Sequence, residues 1–336
     1  MRGEFDFIES IRRQVARSEK SKGVSLGIGD DAAVFNSKNL DLVITTDLLV
    51  EEIDFRLDWT TPRFLGHRAL AVSLSDIAAM GARPRYALLS IGVPQKVWKT
   101  KFVDEFYKGF FRLAREHHVA LIGGDTSRTP DRVVIDSIVI GEAKRKRVVR
   151  RSGAKAGDLI FVTGALGGAA AGLGLLRSRA KTKKTKRNSR TTDREKLLRR
   201  HLLPAPRVVW GRLLGEKTLA TAMIDLSDGL SSDLAHLCRA SRVGARIDSS
   251  VIPIDSSLNE ARATELDALD SALHGGEDYE LLFTVRPRKR NLIPLDLGGV
   301  PATLIGEITS SKNIEIVSNG RARELKPEGF QHFRRA

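Results

Sequence analysis

Apolar and polar positions recur along this chain at two periods, near 2 and near 3.6, and the period decides each predicted element. Residues 40–46 (LDLVITT) form an apolar run that predicts a strand ending on Asp47. Residues 64–80 are rich in small apolar side chains and predict a helix with almost no polar face. Residues 86–93 predict a strand closed by Pro94. Across residues 98–117, Phe102, Phe106, Phe110 and Leu113 recur at helical spacing, which predicts an amphipathic helix. Residues 133–140 predict a further strand, broken by Gly141.

Near residue 150 the pattern restarts. A polar turn at 151–158 leads into a predicted strand at 159–163, then the glycine-rich stretch 164–168 and a helix of small residues. Pro206 opens a predicted helix through Leu214, residues 229–240 predict another, and 280–285 and 303–308 are late strands. Strand and helix signals interleave in this way in α/β and α+β folds. At 336 residues the chain suits two ordinary domains, with a boundary in 141–153: residues 1–148 and 149–336. No solenoid repeat is present.

Composition narrows the class. No apolar run approaches ~18 residues, so no membrane-spanning helix is expected. The first ten residues carry Glu4, Asp6 and Glu9 and lack the apolar core of a secretory signal. One cysteine, Cys238, excludes an internal disulfide framework and a cysteine-based metal cluster. A cytoplasmic location is the expectation.

The net charge of +15 suggests nucleic acid until its distribution is read. Residues 177–200 carry a net +10 and residues 144–151 a net +6, so the rest of the chain is close to neutral. Residues 181–192 contain no apolar side chain and no aromatic to stack a base. A solvated surface insertion at about 178–196 is the preferred reading, with nucleic-acid binding through it the weaker alternative.

Seven aspartates stand in short glycine-, serine- or threonine-rich contexts: Asp30 and Asp31, Asp47, Asp76, Asp125, Asp225 and Asp228. Hard carboxylate oxygens are what magnesium takes, usually together with substrate phosphates. Asp76 is the strongest single clue, because a lone carboxylate in so apolar a helix is costly unless it is paired or holds a metal. Asp47 follows Thr45 and Thr46 at the predicted strand end, where a ligand site or an Asx turn are equally good readings. Alternation along a strand would send Asp30 and Asp31 opposite ways, one toward the site. Gly123-Gly124-Asp125-Thr126 permits close approach to a phosphate or is a tight turn. Ser227 and Asp228 either bind phosphate at a helix start or cap it. Residues 164–168 lack the Lys-Ser/Thr ending of a Walker A loop. Residues 274–280 (HGGEDYE) could face a cationic substrate or form a surface turn.

Taken in order, seven motifs resemble the thiamine-monophosphate kinase family of the aminoimidazole-ribonucleotide-synthetase-like superfamily. They are GIGDDAA at 27–33, TTD at 45–47, ALAVSLSDIAAMG at 69–81, GGDT at 123–126, RSGAK at 151–155, IDLSDGL at 224–230 and GGEDYEL at 275–281. Each is modest alone; the ordered set spans nearly the whole chain. The resemblance implies a two-domain synthetase-like fold. Its N-terminal α/β domain dimerises through its sheet and its C-terminal domain is α+β. It also implies direct transfer of the ATP γ-phosphoryl to thiamine monophosphate with several Mg2+ ions. Carried over by position, Asp31, Thr45, Thr46, Asp47, Asp76, Asp125, Asp225 and Asp228 would hold metal, with Asp47, Asp125 and Asp228 closest to the chemistry. Tyr107, Gly124, Asp125, Arg151 and Ser227 would contact ATP, and Asp54, Glu277 and Phe330 would contact thiamine monophosphate. A carboxylate and an aromatic face suit the cationic thiazolium.

Two features depart from the family. Asp54 stands where the family usually has histidine, and an acid beside a phosphate repels it unless magnesium intervenes. The basic insertion is also unusual, though loop insertions cost little. Within the superfamily, selenophosphate synthetases and the hydrogenase-maturation enzyme need a reactive residue near the N-terminus or a C-terminal cysteine, and Cys238 is in neither place.

Overall fold

A computed structural model describes residues 4–17, 23–181, 191–261 and 267–330. Residues 182–190 of the basic insertion lie outside them. The first half of the chain runs α1 (Glu4–Arg17), β1 (Val24–Leu26), β2 (Ala33–Asn36), β3 (Leu40–Val50), α2 (Pro62–Ala79), β4 (Arg83–Pro94), α3 (Gln95–Trp98), α4 (Phe102–Glu116), β5 (Ala120–Thr129) and β6 (Val134–Lys144). Its six strands form one sheet in the order β1-β2-β3-β6-β4-β5, antiparallel except for β4 and β5. The second half runs β7 (Leu159–Thr163), α5 (Gly168–Lys181), α6 (Thr191–Leu202), α7 (Val208–Glu216), β8 (Ala220–Asp225), α8 (Leu230–Ser241), β9 (Gly244–Asp248), α9 (Ser256–Ala261), α10 (Ala268–His274), β10 (Leu281–Val285), β11 (Ala302–Thr309), β12 (Ile314–Ser318) and β13 (Arg321–Glu324). Its seven strands form a second sheet, β13-β12-β9-β11-β7-β10-β8. The two halves, expected as α/β and α+β, are each a mixed sheet with helices.

Helix α2 is the keel between the two sheets. Thr61 caps its start by accepting the Phe64 N–H at 3.2 Å, and Pro62 occupies the first turn, where a missing N–H costs nothing. Thirteen of its eighteen residues are buried, so it has no solvent face. Glycines let its neighbours approach. A Cβ on Gly66 would lie 1.9 Å from Phe106 O of α4, and one on Gly211 of α7 would lie 2.1 Å from Ala78 O. The phenylalanine stripe of α4 faces inward, with Phe106 and Phe110 fully buried. None of the helices among the described residues is long and apolar enough to cross a membrane.

Two expected boundaries move. Asp47 does not end a strand: β3 continues to Val50 because β6 pairs with it over its whole length, from Leu40↔Lys144 to Val50↔Val134. Gly123-Gly124-Asp125-Thr126 is not a turn: it lies inside β5, paired in parallel with β4. Gly124 adopts φ +148°, and a Cβ there would meet Leu89 O at 1.9 Å, so glycine is required for the strands to close.

Along β3, β4 and β6 every second residue is buried beneath α2 and α4. The alternate residues, including Ile44, Leu88, Ile138 and Ile140, lie on a face that no element of the described chain covers completely, and Leu48 and Tyr86 are exposed there.

Candidate active site

Three distant segments converge at the end of α2. One carboxylate oxygen from each of Asp31, Asp76 and Asp225 lies within 4.8 Å of the other two. Asp31 comes from the β1–β2 connection, Asp76 from α2 and Asp225 from the last residue of β8. Thr45 Oγ1 donates to Asp76 Oδ2, and Ser75 Oγ donates to Asp225 Oδ2 at 2.7 Å. Arg151 Nη2 donates to Asp31 Oδ1 at 2.7 Å, while Asp30 accepts the Arg151 backbone N–H at 3.1 Å. Both acids of the pair therefore serve Arg151, and only Asp31 joins the trio.

Burial and then crowding raise Asp76, Asp225 and the neighbouring Asp47. Burial, then the charges of Asp47 and Asp225, push the Asp76 carboxyl well above the usual carboxylate range. Burial and Asp31 push Asp225 up to about 7. Asp47 rises to about 6 through burial, aided by Asp136 and opposed by a hydrogen bond with Ser73. Asp31 Oδ2 and Asp47 Oδ2 are buried without a hydrogen-bond partner. An all-oxygen set with orphaned carboxylate atoms, and with Asp76 and Asp225 raised, fits a hard divalent cation such as magnesium.

Thr46 and Asp125 are not part of that trio. Thr46 alternates with Thr45, and its Oγ1 donates to Asp136 Oδ1 at 2.6 Å. Asp125 pairs in register with Ser90, Ser90 with Asp136, and Asp136 with Leu48, so these side chains share the open face of the sheet. Asp125 accepts the N–H of Thr126 at 2.8 Å. It stands three strand spacings from β3, roughly 14 Å.

The second cluster lies at the start of α8. Glu277 N–H donates to Ser227 O at 2.8 Å, Tyr279 N–H to Leu226 O at 2.9 Å and Phe330 N–H to Asp228 O at 3.2 Å. These bonds gather Ser227, Asp228, Glu277 and the half-exposed Phe330. The first N–H groups here are already taken, because Asp233 Oδ2 accepts from Asp228 N at 3.1 Å and Gly229 N at 3.0 Å. Neither Ser227 nor Asp228 is the cap; Gly229 holds that position with no side-chain bond. The glycine-rich stretch before α5 is likewise satisfied from within. Asp278 accepts from Gly167 N at 2.7 Å and Ala169 N at 3.1 Å. Residues 274–280 are thus no surface turn: Tyr279 and Glu280 are buried, and Arg207 donates to both Glu280 oxygens.

Both halves of the chain match known domains. The AIR synthase related protein N-terminal domain matches residues 29–143 and the AIR synthase related protein C-terminal domain residues 155–319. The thiamine-monophosphate kinase of Escherichia coli (strain K12) is 40% identical over 337 residues, covering 98% of this chain and 98% of that protein. That of Bacillus subtilis (strain 168) is 36% identical, covering 98% of this chain and 99% of that protein. This chain belongs to the thiamine-monophosphate kinase family. The structure of AaThiL complexed with AMPPCP and TMP matches at a TM-score of 0.84 and 30% identity, over 98% of this chain and 97% of that one. The protein is accordingly an enzyme of phosphoryl transfer, a thiamine-phosphate kinase.

Within a thiamine-monophosphate kinase, the remaining positions fall as follows. Tyr107 lies on α4 with its ring edge-on to Phe106 at 5.7 Å and tilted against Phe111 at 5.8 Å. Asp54 turns back on its own loop, where Oδ2 accepts the Val50 N–H at 2.8 Å. Sequence reading of this kinase missed Arg68, His201, Asp136 and Asp233. Arg68 carried the same signal as Asp76, a lone charge in an apolar helix. The others had none, since only folding sets them beside the site.

Proposed function

We propose that this chain transfers the γ-phosphoryl of ATP directly to thiamine monophosphate, releasing thiamine diphosphate and ADP. The convergence of Asp31, Asp76 and Asp225 carries the reading. Asp47, Thr45 and Thr46 lie on the neighbouring stretch of β3, and Asp228 follows Ser227, whose carbonyl accepts the Glu277 N–H. We assign Mg2+ to these oxygens, with Asp47, Asp125 and Asp228 nearest the chemistry and Tyr107, Gly124, Arg151 and Ser227 nearest ATP. The division near residue 149 then separates a nucleotide and metal unit from one that completes the acceptor site.

When bound, magnesium supplies positive charge between the phosphates of donor and acceptor and stabilises charge spreading in the transition state. The protein's own groups position. Asp31, Asp76 and Asp225 would hold the metal, and Thr45 and Ser75 orient Asp76 and Asp225 through hydrogen bonds. Arg151 is fixed by Asp31 and Asp30 at the edge of the cluster, where its guanidinium can meet phosphate. The acceptor is already an ionised phosphate, so no strong general base is needed and no covalent phospho-enzyme forms.

The protein acts as a cytoplasmic homodimer in this reading. The open face of the first sheet, with Ile138 and Leu88 among its apolar positions, suits a second copy of itself. Asp125, roughly 14 Å from β3 across three strand spacings, cannot share one ion with Asp47 of its own chain. Apposed sheets offer a route for it to reach the other copy's site.

Phosphorus NMR with ATP, Mg2+ and thiamine monophosphate, beside an EDTA control, tests the reaction. Thiamine diphosphate and ADP should appear one for one, only with metal. ADP with free phosphate and no thiamine diphosphate would refute the acceptor.

A further inference from the structure

Arg68 is 4% exposed in the middle of α2, yet its guanidinium spans to two other segments. Nη2 donates to Glu277 Oε1 and to Asp54 O, the latter at 3.1 Å. Nη1 lies 3.3 Å from His201 Nε2, and His201 Nδ1 lies 3.0 Å from Glu277 Oε2. Arg68 thus holds one Glu277 oxygen and His201 stands beside the other, at 4% and 5% exposure, while the Glu277 side chain remains 27% exposed. Its backbone sits at φ 72°, a region that residues with a Cβ disfavour, so tertiary contacts must hold it there. Burial works against the charge, but Arg68 and then His201 keep the Glu277 carboxyl down at about 2.

One side chain therefore ties together the turn containing Asp54 and the loop containing Glu277. The same helix presents Asp76 to the metal cluster eight residues later, about 12 Å along its axis. We propose that Arg68, backed by His201, is a positioning residue for the phosphoryl acceptor. It fixes the Glu277 carboxylate and the 51–55 turn at a set distance from Asp76, so that an acceptor held by its cationic ring presents its phosphate to the metal end. The inference rests on the proposed reaction, in which Glu277 faces thiamine monophosphate.

A planar fork cannot be replaced by an ammonium, which keeps the charge but not the geometry. Arg68→Lys should raise KM for thiamine monophosphate about tenfold, the loss of one or two charge-assisted bonds. KM for ATP should stay within about twofold, since no nucleotide group depends on this fork. Calorimetric titration with thiamine monophosphate should show the same loss without turnover. If Arg68→Lys does not fold, His201→Asn, which keeps Arg68, is read in the same way. Equal changes in both KM values, or an unchanged acceptor KM, overturn the positioning role while leaving the reaction standing. A wild-type protein that makes no thiamine diphosphate overturns both.

Discussion

Replacing Asp76 by asparagine should stabilise the metal-free protein while abolishing turnover. Asp31, Asp76 and Asp225 offer oxygens within 4.8 Å of one another. Two full charges at that separation repel by about 3 kcal/mol at an effective dielectric near 20. Arg151 offsets part of this at Asp31, and burial first, with this repulsion second, pushes Asp76 up and brings Asp225 to about 7. The sign follows from linkage. Between the ordinary carboxylate range and pH 7 the folded protein keeps protons that the unfolded chain has released, so stability falls as pH rises across that window. The contribution is fully present below the unfolded value and gone above the folded one. Asparagine removes one charge and retains an oxygen to accept from Thr45. At pH 8 the gain should be about 2 kcal/mol, a rise of several degrees in Tm. Scanning calorimetry in EDTA at pH 5 and pH 8 reads it directly. The wild type should melt lower at pH 8 than at pH 5, the variant should close that gap, and Mg2+ should stabilise the wild type far more than the variant. A lower Tm for Asp76→Asn at pH 8 in EDTA would refute the idea that these carboxylates are held together at a cost that metal offsets.

Three further outcomes can be checked. Gly124→Ala would press a Cβ to 1.9 Å from Leu89 O, so it should loosen the β4–β5 pairing and raise KM for ATP; steady-state kinetics and amide exchange along β5 report both effects. Arg207→Met leaves the fully buried Glu280 with the Thr163 hydroxyl at 2.7 Å and, as its remaining charged partner, Arg200 at 3.8 Å, and should cost about 3 kcal/mol in urea unfolding. Ile138→Asp places a charge on the open sheet face, in register with Thr46; sedimentation should show a monomer, and an unchanged dimer would remove that face from the interface.

Much of the frame was legible because local pattern and final environment agree. The stripe Phe102, Phe106, Phe110 and Leu113 needed only helical spacing to reveal its buried face. The apolar length of α2 made Asp76 conspicuous before any neighbour was known. Each acidic motif alone also admitted a cap or a turn; their order along the chain, and the family resemblance it carries, pointed to one phosphoryl site. Partnership was not legible. Nothing in residues 45–47 says that β3 runs on to Val50; that depends on the length of β6, about ninety residues away. Nothing near Ser227 says that Asp233 takes the helix-start N–H groups, or that Asp278 fills the glycine-rich turn before α5. The sequence by itself determined most of the strand and helix segments and which acidic residues were candidates for chemistry, since periodicity and side-chain type are local properties. The tertiary structure alone decided that Asp31, Asp76 and Asp225 meet, that Arg68 grips Glu277, and that Asp125 stands apart on an open face. Those distances arise from packing between segments as much as 209 residues apart, which no local spacing encodes.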